Sequence, residues 1–177
     1  DKQDHRNIKI IIENMKRIIA AAAMIIMAIA AYAQEGRSIY NRYSGGEGVS
    51  AVYISPAMFK LIGNLPDLDV EVGDDESVNI APLIRTFQGF YMLDISDASV
   101  KESLMKDVRA MIDKGRYELL MEVKEDGEDL HIYTAGDDKI VESFVFIASD
   151  GGDVQFICID GAMNRSDIEE IIGKAVR

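Results

Sequence analysis

Between Tyr117 and Ile159 the chain reverses direction three times at short intervals, and this pattern restricts the fold more than any other stretch. Tyr117, Leu119, Met121 and Val123 alternate with other residues on what reads as one face, Glu125-Asp126-Gly127-Glu128 makes a turn, and a second strand signal follows at 130–134. Gly136-Asp137-Asp138 then leads into 140–148, and Asp150-Gly151-Gly152 into 154–159. Short apolar runs joined by turns this tight pair with their sequence neighbours, so a four-strand antiparallel meander is expected here.

The preceding part reads as two strand-then-helix units. Residues 49–54 are an apolar strand signal ending in Ile54-Ser55-Pro56, where Ser55 can cap a helix and Pro56 fits its first turn; Gly63 stops that helix. Residues 89–95 repeat the grammar, with Ile95-Ser96 leading into a helix whose stripe is Val100, Leu104, Val108, Met111 and Ile112. Between them, residues 65–72 alternate as a strand with one wet face or an extended connection, and the acidic stretch at 73–76 turns the chain. Asn79 is then placed to cap a helix with Ile80, Leu83, Ile84 and Phe87 at i, i+3, i+4 and i+7. Residues 34–48 read as a polar, glycine-rich turn seating the first strand. A last helix is expected near Asn164, with Ser166 and Glu169 as a capping box and Ile168, Ile171, Ile172 and Val176 facing inward. This order predicts an α+β fold, an antiparallel or mixed sheet with helices packed on one face.

Residues 15–33 carry the pattern of a secretory signal peptide. Met15, Lys16 and Arg17 are a basic start, residues 18–31 an uncharged apolar run, and Ala31-Tyr32-Ala33 a small-x-small cleavage site before Gln34. A membrane span needs about 20 apolar residues, so removal is expected over anchoring. Residues 1–14 read as upstream sequence or an extended basic n-region, and 34–177 as a single domain. The expectation is an exported protein, periplasmic or secreted, not cytoplasmic, with no stable membrane span once the leader is gone.

Loss of residues 1–33 removes five of the 19 Lys and Arg and three of the 31 Asp and Glu, leaving 14 against 28 and a formal charge of −14. Such a surface repels nucleic acid and anionic membrane. Cys158 is the single cysteine, inside the run Phe156-Ile157-Cys158-Ile159, so no internal disulfide forms and a buried small hydrophobe is expected rather than a nucleophile. His131, the only histidine after the leader, reads as a surface or half-buried structural residue, because neither a zinc set nor a catalytic triad assembles around one histidine.

Two groups remain as candidate sites. Tyr40, Arg42, Tyr43 and Glu47 beside the glycines at 45, 46 and 48 offer a recognition surface, since Tyr and Arg recur in binding hot spots. Asp126, Asp129, Asp150 and Asp153 occupy two turns that a meander brings to the same end of its sheet, and together they offer oxygen ligands to Ca²⁺, which takes about six to eight. No other cofactor is implied.

The run Tyr40-Asn41-Arg42-Tyr43-Ser44-Gly45-Gly46-Glu47-Gly48-Val49, continuing to Ile54-Ser55, and the run Lys114-Gly115-Arg116-Tyr117-Glu118-Leu119-Leu120-Met121-Glu122-Val123 together resemble a known family. It is the exported Bacteroides-type family catalogued as domain of unknown function 4252. The resemblance implies a small envelope protein of α+β fold with no established activity, so it carries no catalytic residues over. Some members look like lipoproteins, and this chain departs from them by having Gln34 where a lipid-bearing cysteine would stand. The functional expectation is a non-catalytic binding module, regulatory in character, whose partner is an envelope protein or cell-surface component. The alternative is a carboxylate-based, calcium-dependent hydrolase.

Overall fold

The computed structural model describes residues 35–65, 68–71, 77–114 and 117–175. The leader at 15–33, residues 1–14, the acidic turn at 73–76 and the side chains of Ile171, Ile172 and Val176 lie outside the described residues. In chain order the elements are α1 (Glu35–Tyr43), β1 (Val49–Ile54), α2 (Pro56–Ile62), β2 (Asp69–Glu71), β3 (Ser77–Asn79), α3 (Ala81–Ile84), β4 (Phe87–Ile95), α4 (Ala98–Lys114), β5 (Tyr117–Glu125), β6 (Glu128–Gly136), β7 (Ile140–Ser149), β8 (Val154–Asn164) and α5 (Arg165–Ala175). The fold is α+β, as expected, with helices on one side of a six-stranded antiparallel sheet of order β1-β4-β8-β7-β6-β5; β2 and β3 pair separately.

The meander β5 to β8 follows directly from its turns. Asp126 (φ 39°) and Gly127 (φ 96°) both take left-handed backbone, which suits the twist of a two-residue hairpin. The next two turns share one device. Asp137 Oδ1 accepts the N–H groups of Lys139 and Ile140, and Asp150 Oδ1 accepts those of Gly152 and Asp153. β1 and β4 extend the sheet by antiparallel pairing, β4 lying against β8.

Several local expectations are corrected. Residues 35–43 are helical rather than a turn, because Gly36, Ile39, Tyr40 and Tyr43 form an i, i+3, i+4, i+7 stripe against the sheet. The helix after Asn79 is a single turn, and Phe87 opens β4 instead of closing a stripe. Asp97, not Ser96, caps α4 by accepting from the N–H groups of Ser99 and Val100. Helix α5 begins at Arg165, so Ser166 lies in its first turn and bonds Asp167 instead of forming a capping box. In β5 the register slips between Leu119 and Met121, a bulge that splits the expected stripe across both faces. Ser55 and Gly63 bound α2 as expected.

The core lies between the sheet and the pair α1 and α4. Leu104, Val108 and Met111 from α4, with Ile39 and Tyr43 from α1, cover Tyr91, Leu93, Ile95, Val145, Ile147, Phe156 and Cys158. Each large apolar side chain taken out of water here contributes roughly 1.5–3 kcal/mol. Helices α2, α3 and α5 gather where β4 begins and β8 ends, with Phe59 packed edge-on to Phe87 at 5.2 Å and Pro82 and Leu83 near Asp167.

Gly36 sets how closely α1 approaches. A Cβ added there would lie 2.3 Å from Cys158 Sγ and 3.0 Å from its Cβ, both on a fully buried side chain. Gly36→Ala is therefore expected to lower stability by about 1–3 kcal/mol. In urea melts the double variant Gly36→Ala/Cys158→Ala should lose less than the two single losses added together; strict additivity would contradict the close packing.

Candidate functional site

Strand alternation and register place three cross-strand rows on the face turned away from α1 and α4. The middle row, Val52, Met92, Ile157, Phe146, Ile132 and Met121, crosses all six strands and is apolar throughout. Its ends are open, with Val52 at 45% and Met121 at 50% exposure, and its central members are half-buried. One side of it is flanked by Ile54, Phe90, Ile159, Phe144, Thr134 and Glu118, the other by Ser50, Asp94, Gln155, Ala148, Leu130 and Val123. None of these residues is a Lys or Arg. An antiparallel sheet that meets water on one side ordinarily alternates apolar with polar, and here the central stretches of β4, β7 and β8 carry apolar residues on both faces.

The last row runs into a concavity of about 470 Å³ at one end of the sheet. Val123, Leu130, Ala148, Ser149 and Gln155 line it together with six carboxylates: Asp94, Glu125, Glu128, Asp129, Asp150 and Asp153. Three of the four residues considered as calcium ligands thus border one hollow, while Asp126 sits at the exposed hairpin tip outside the lining. Among the described residues no three His, Cys, Asp or Glu side chains converge closely enough to hold a metal ion. Asp150 is committed to its own turn, and the N–H groups of Asp153 and Gly152 hold its carboxyl below the usual range. From α4, Lys101 Nζ donates to the Gly152 carbonyl beside it.

Of the N-terminal candidates, Tyr40, Arg42 and Tyr43 lie on α1 and Glu47 in the turn that follows it. The Tyr43 hydroxyl is turned inward and donates to Asp107 Oδ2 at 2.7 Å, and Arg42 Nη1 reaches the same oxygen at 2.5 Å. These two donors tie α1 to α4 and, with the Tyr43 bond the largest influence, hold the Asp107 carboxyl below its ordinary value. Burial and the Asp107 contact push the Tyr43 hydroxyl up to about 12. Tyr40 packs beside Tyr53 and Tyr91, with ring centroids 6.1 and 5.8 Å away, and Glu47 lies exposed in the turn before β1. His131 is half-buried, bonded to Glu122 Oε1 at 2.8 Å and stacked on Tyr133.

Beneath α1 lies a buried polar group that sequence reasoning missed. Asp160 is 1% exposed; its Oδ1 accepts from Cys158 Sγ at 3.4 Å, and its Oδ2 has no donor among the described residues. Ser143 Oγ stands 3.5 Å from the same sulfur and 3.5 Å from the Tyr117 hydroxyl. Burial drives the Cys158 thiol well above its ordinary value and keeps it protonated, which agrees with its reading as core. Burial also pushes Asp160 from 3.8 up to about 6 and raises the nearby Glu35. The sole sequence signal was an aspartate two residues after Cys158 in an apolar strand, on the same face as the buried thiol.

The raised Asp160 value has a definite sign. The folded state holds its proton more tightly than the unfolded chain, so this contribution is fully present below about pH 4 and is lost as pH rises through about 6. Asp160→Asn should abolish that fall and exceed the parent in stability at pH 7.5, by up to about 3 kcal/mol. Urea melts at pH 4.5 and 7.5 check this; a variant less stable than the parent at pH 7.5 would mean that the ionised carboxylate is needed.

Comparison with known proteins adds a family. No curated protein and no solved structure matches the chain. The family model described as Domain of unknown function (DUF4252) matches residues 43–171, from the end of α1 through the whole six-stranded sheet into α5. With well over half of its length matched, the chain belongs to the DUF4252 family.

Proposed function

We propose that this protein is an exported, non-catalytic binding module, periplasmic or secreted, that acts in a regulatory capacity on an envelope protein or cell-surface component through the open face of its sheet. The observation that carries the reading is the apolar row from Val52 to Met121, which faces away from the core-forming helices. Apolar surface of this continuity is a mark of interaction sites. The leader pattern at 15–33 supports export. No helix among the described residues is long and apolar enough to cross a membrane.

The hydrolase alternative draws on the hollow that gathers Asp129, Asp150 and Asp153. It is the weaker reading, because Asp150 Oδ1 already serves two backbone N–H groups and the surrounding carboxylates do not converge to metal-binding distance.

Site-specific photo-crosslinking in the native cell tests the proposal. A photoreactive residue at Met121 or Val52 should trap the same partner, and one at Lys106 or Arg109, on the outer side of α4, should not. Equal trapping from both sides of the molecule, or none from the open face, would overturn the assignment. For the alternative, millimolar calcium should leave the melting temperature of the chain unchanged; a rise abolished by Asp129→Asn/Asp153→Asn would favour it.

A further inference from the structure

We infer that the open face takes a cationic amphipathic segment, apolar along one side and bearing Lys or Arg on its flank. The inference rests on the binding-module reading and adds the chemistry of the partner. Two features that adjoin on this face carry it. The first is the apolar row, crossing six strands and therefore roughly 24 Å long. A helix of about 16 residues has the same length. The second is the hollow beside it, where six carboxylates share the lining with Val123, Leu130 and Ala148.

Charge decides among occupants. The three rows contain no Lys or Arg, and two cations offset only part of the acidic end: Lys101 beside Asp150, and Lys124, paired across the strands with Asp129 and already bonded to Glu122. A second copy docked face to face through the hollow would set like-charged rims together, on a chain whose part after the leader already carries a formal charge of −14. An anionic lipid surface meets the same repulsion. A segment with apolar residues on one side and cations at its edge satisfies both features at once, burying its apolar side on the row while its cations enter the acidic field. Carboxylates at a solvent-facing rim can pair with such cations without being fully desolvated.

The test uses the full chain and three synthetic 16-residue probes: a helical Leu/Lys peptide with Leu on one face, a Leu/Glu peptide of the same pattern, and a scrambled Leu/Lys peptide with no apolar face. Binding is followed by fluorescence anisotropy at 50 and 500 mM salt, and the site by methyl NMR shifts. The Leu/Lys helix should bind, shift the methyls of Met92, Met121 and Ile157, and weaken with salt. Neutralising the rim with Glu125→Gln/Glu128→Gln/Asp153→Asn, all exposed positions, should weaken it roughly 10-fold or more. Separately, Val52→Ser/Met121→Ser should weaken it, and the scrambled peptide should bind the parent far more weakly than the helix does.

If the Leu/Glu peptide binds equally well, or rim neutralisation has no effect, the cationic partner is refuted while a binding face remains. If the scrambled peptide matches the helix, the attraction is only charge and the inference fails. Self-association of the free chain that Val52→Ser/Met121→Ser abolishes would make a second copy the occupant. Should no probe bind and crosslinking from the open face also trap nothing, both the inference and the binding-module reading fall.

Discussion

The register of β8 between β4 and β7 determines every relation between the two faces of the sheet. Leu93 opposite Phe156 and Phe156 opposite Ile147 set one side of the ladder under α1 and α4, and the same bonds set Met92, Ile157 and Phe146 in line on the other. A slip of one residue in this pairing would exchange the faces and leave the helices over Ile157 instead of Phe156 and Cys158. The approach of α1 depends on it as well, because Gly36 sits directly over Cys158. The chain therefore builds one dry core and, by the same ladder, displays a second apolar surface.

Much of the architecture was legible because its signals are local. The four-strand meander follows from three turns whose Asp and Gly residues perform identifiable backbone work, and α4 from the stripe of Leu104, Val108 and Met111, buried as the periodicity requires. Helix α1 was obscured by the glycines that follow it and by Gly36, which supplies contact through the absence of a side chain and so carries no hydropathy. The bulge at Leu119–Met121 was equally hidden: it is a choice of pairing, and both registers present apolar residues.

The candidate site was legible only in part, for a physical reason. That the Asp129 and Asp150 turns lie at one end of the sheet follows from counting reversals, but the strand order that brings Asp94 to them needed the pairing of β4 with β8. The open face was signalled by apolar residues at both parities in Phe90-Tyr91-Met92-Leu93, Phe144-Val145-Phe146-Ile147 and Phe156-Ile157-Cys158-Ile159. Such runs ordinarily mean burial on both sides, and a sequence does not say whether the second cover comes from the same chain. Tyr43 and Arg42 show the converse, since residue types common in binding sites here join two helices through Asp107.

The central claim is that the open face meets a partner in the cell, and the chain's own methionines report on it. Met92 and Met121 belong to the face, whereas Met111 at 6% exposure and Met163 at 1% belong to the interior. Methionine oxidation, followed by mass spectrometry in the purified chain and in intact cells, measures the difference directly. The account predicts rapid oxidation of Met121 and Met92 in the purified chain, slow oxidation of Met111 and Met163 in both settings, and protection of Met121 and Met92 in cells. Equal oxidation of the two face methionines in both settings would contradict it.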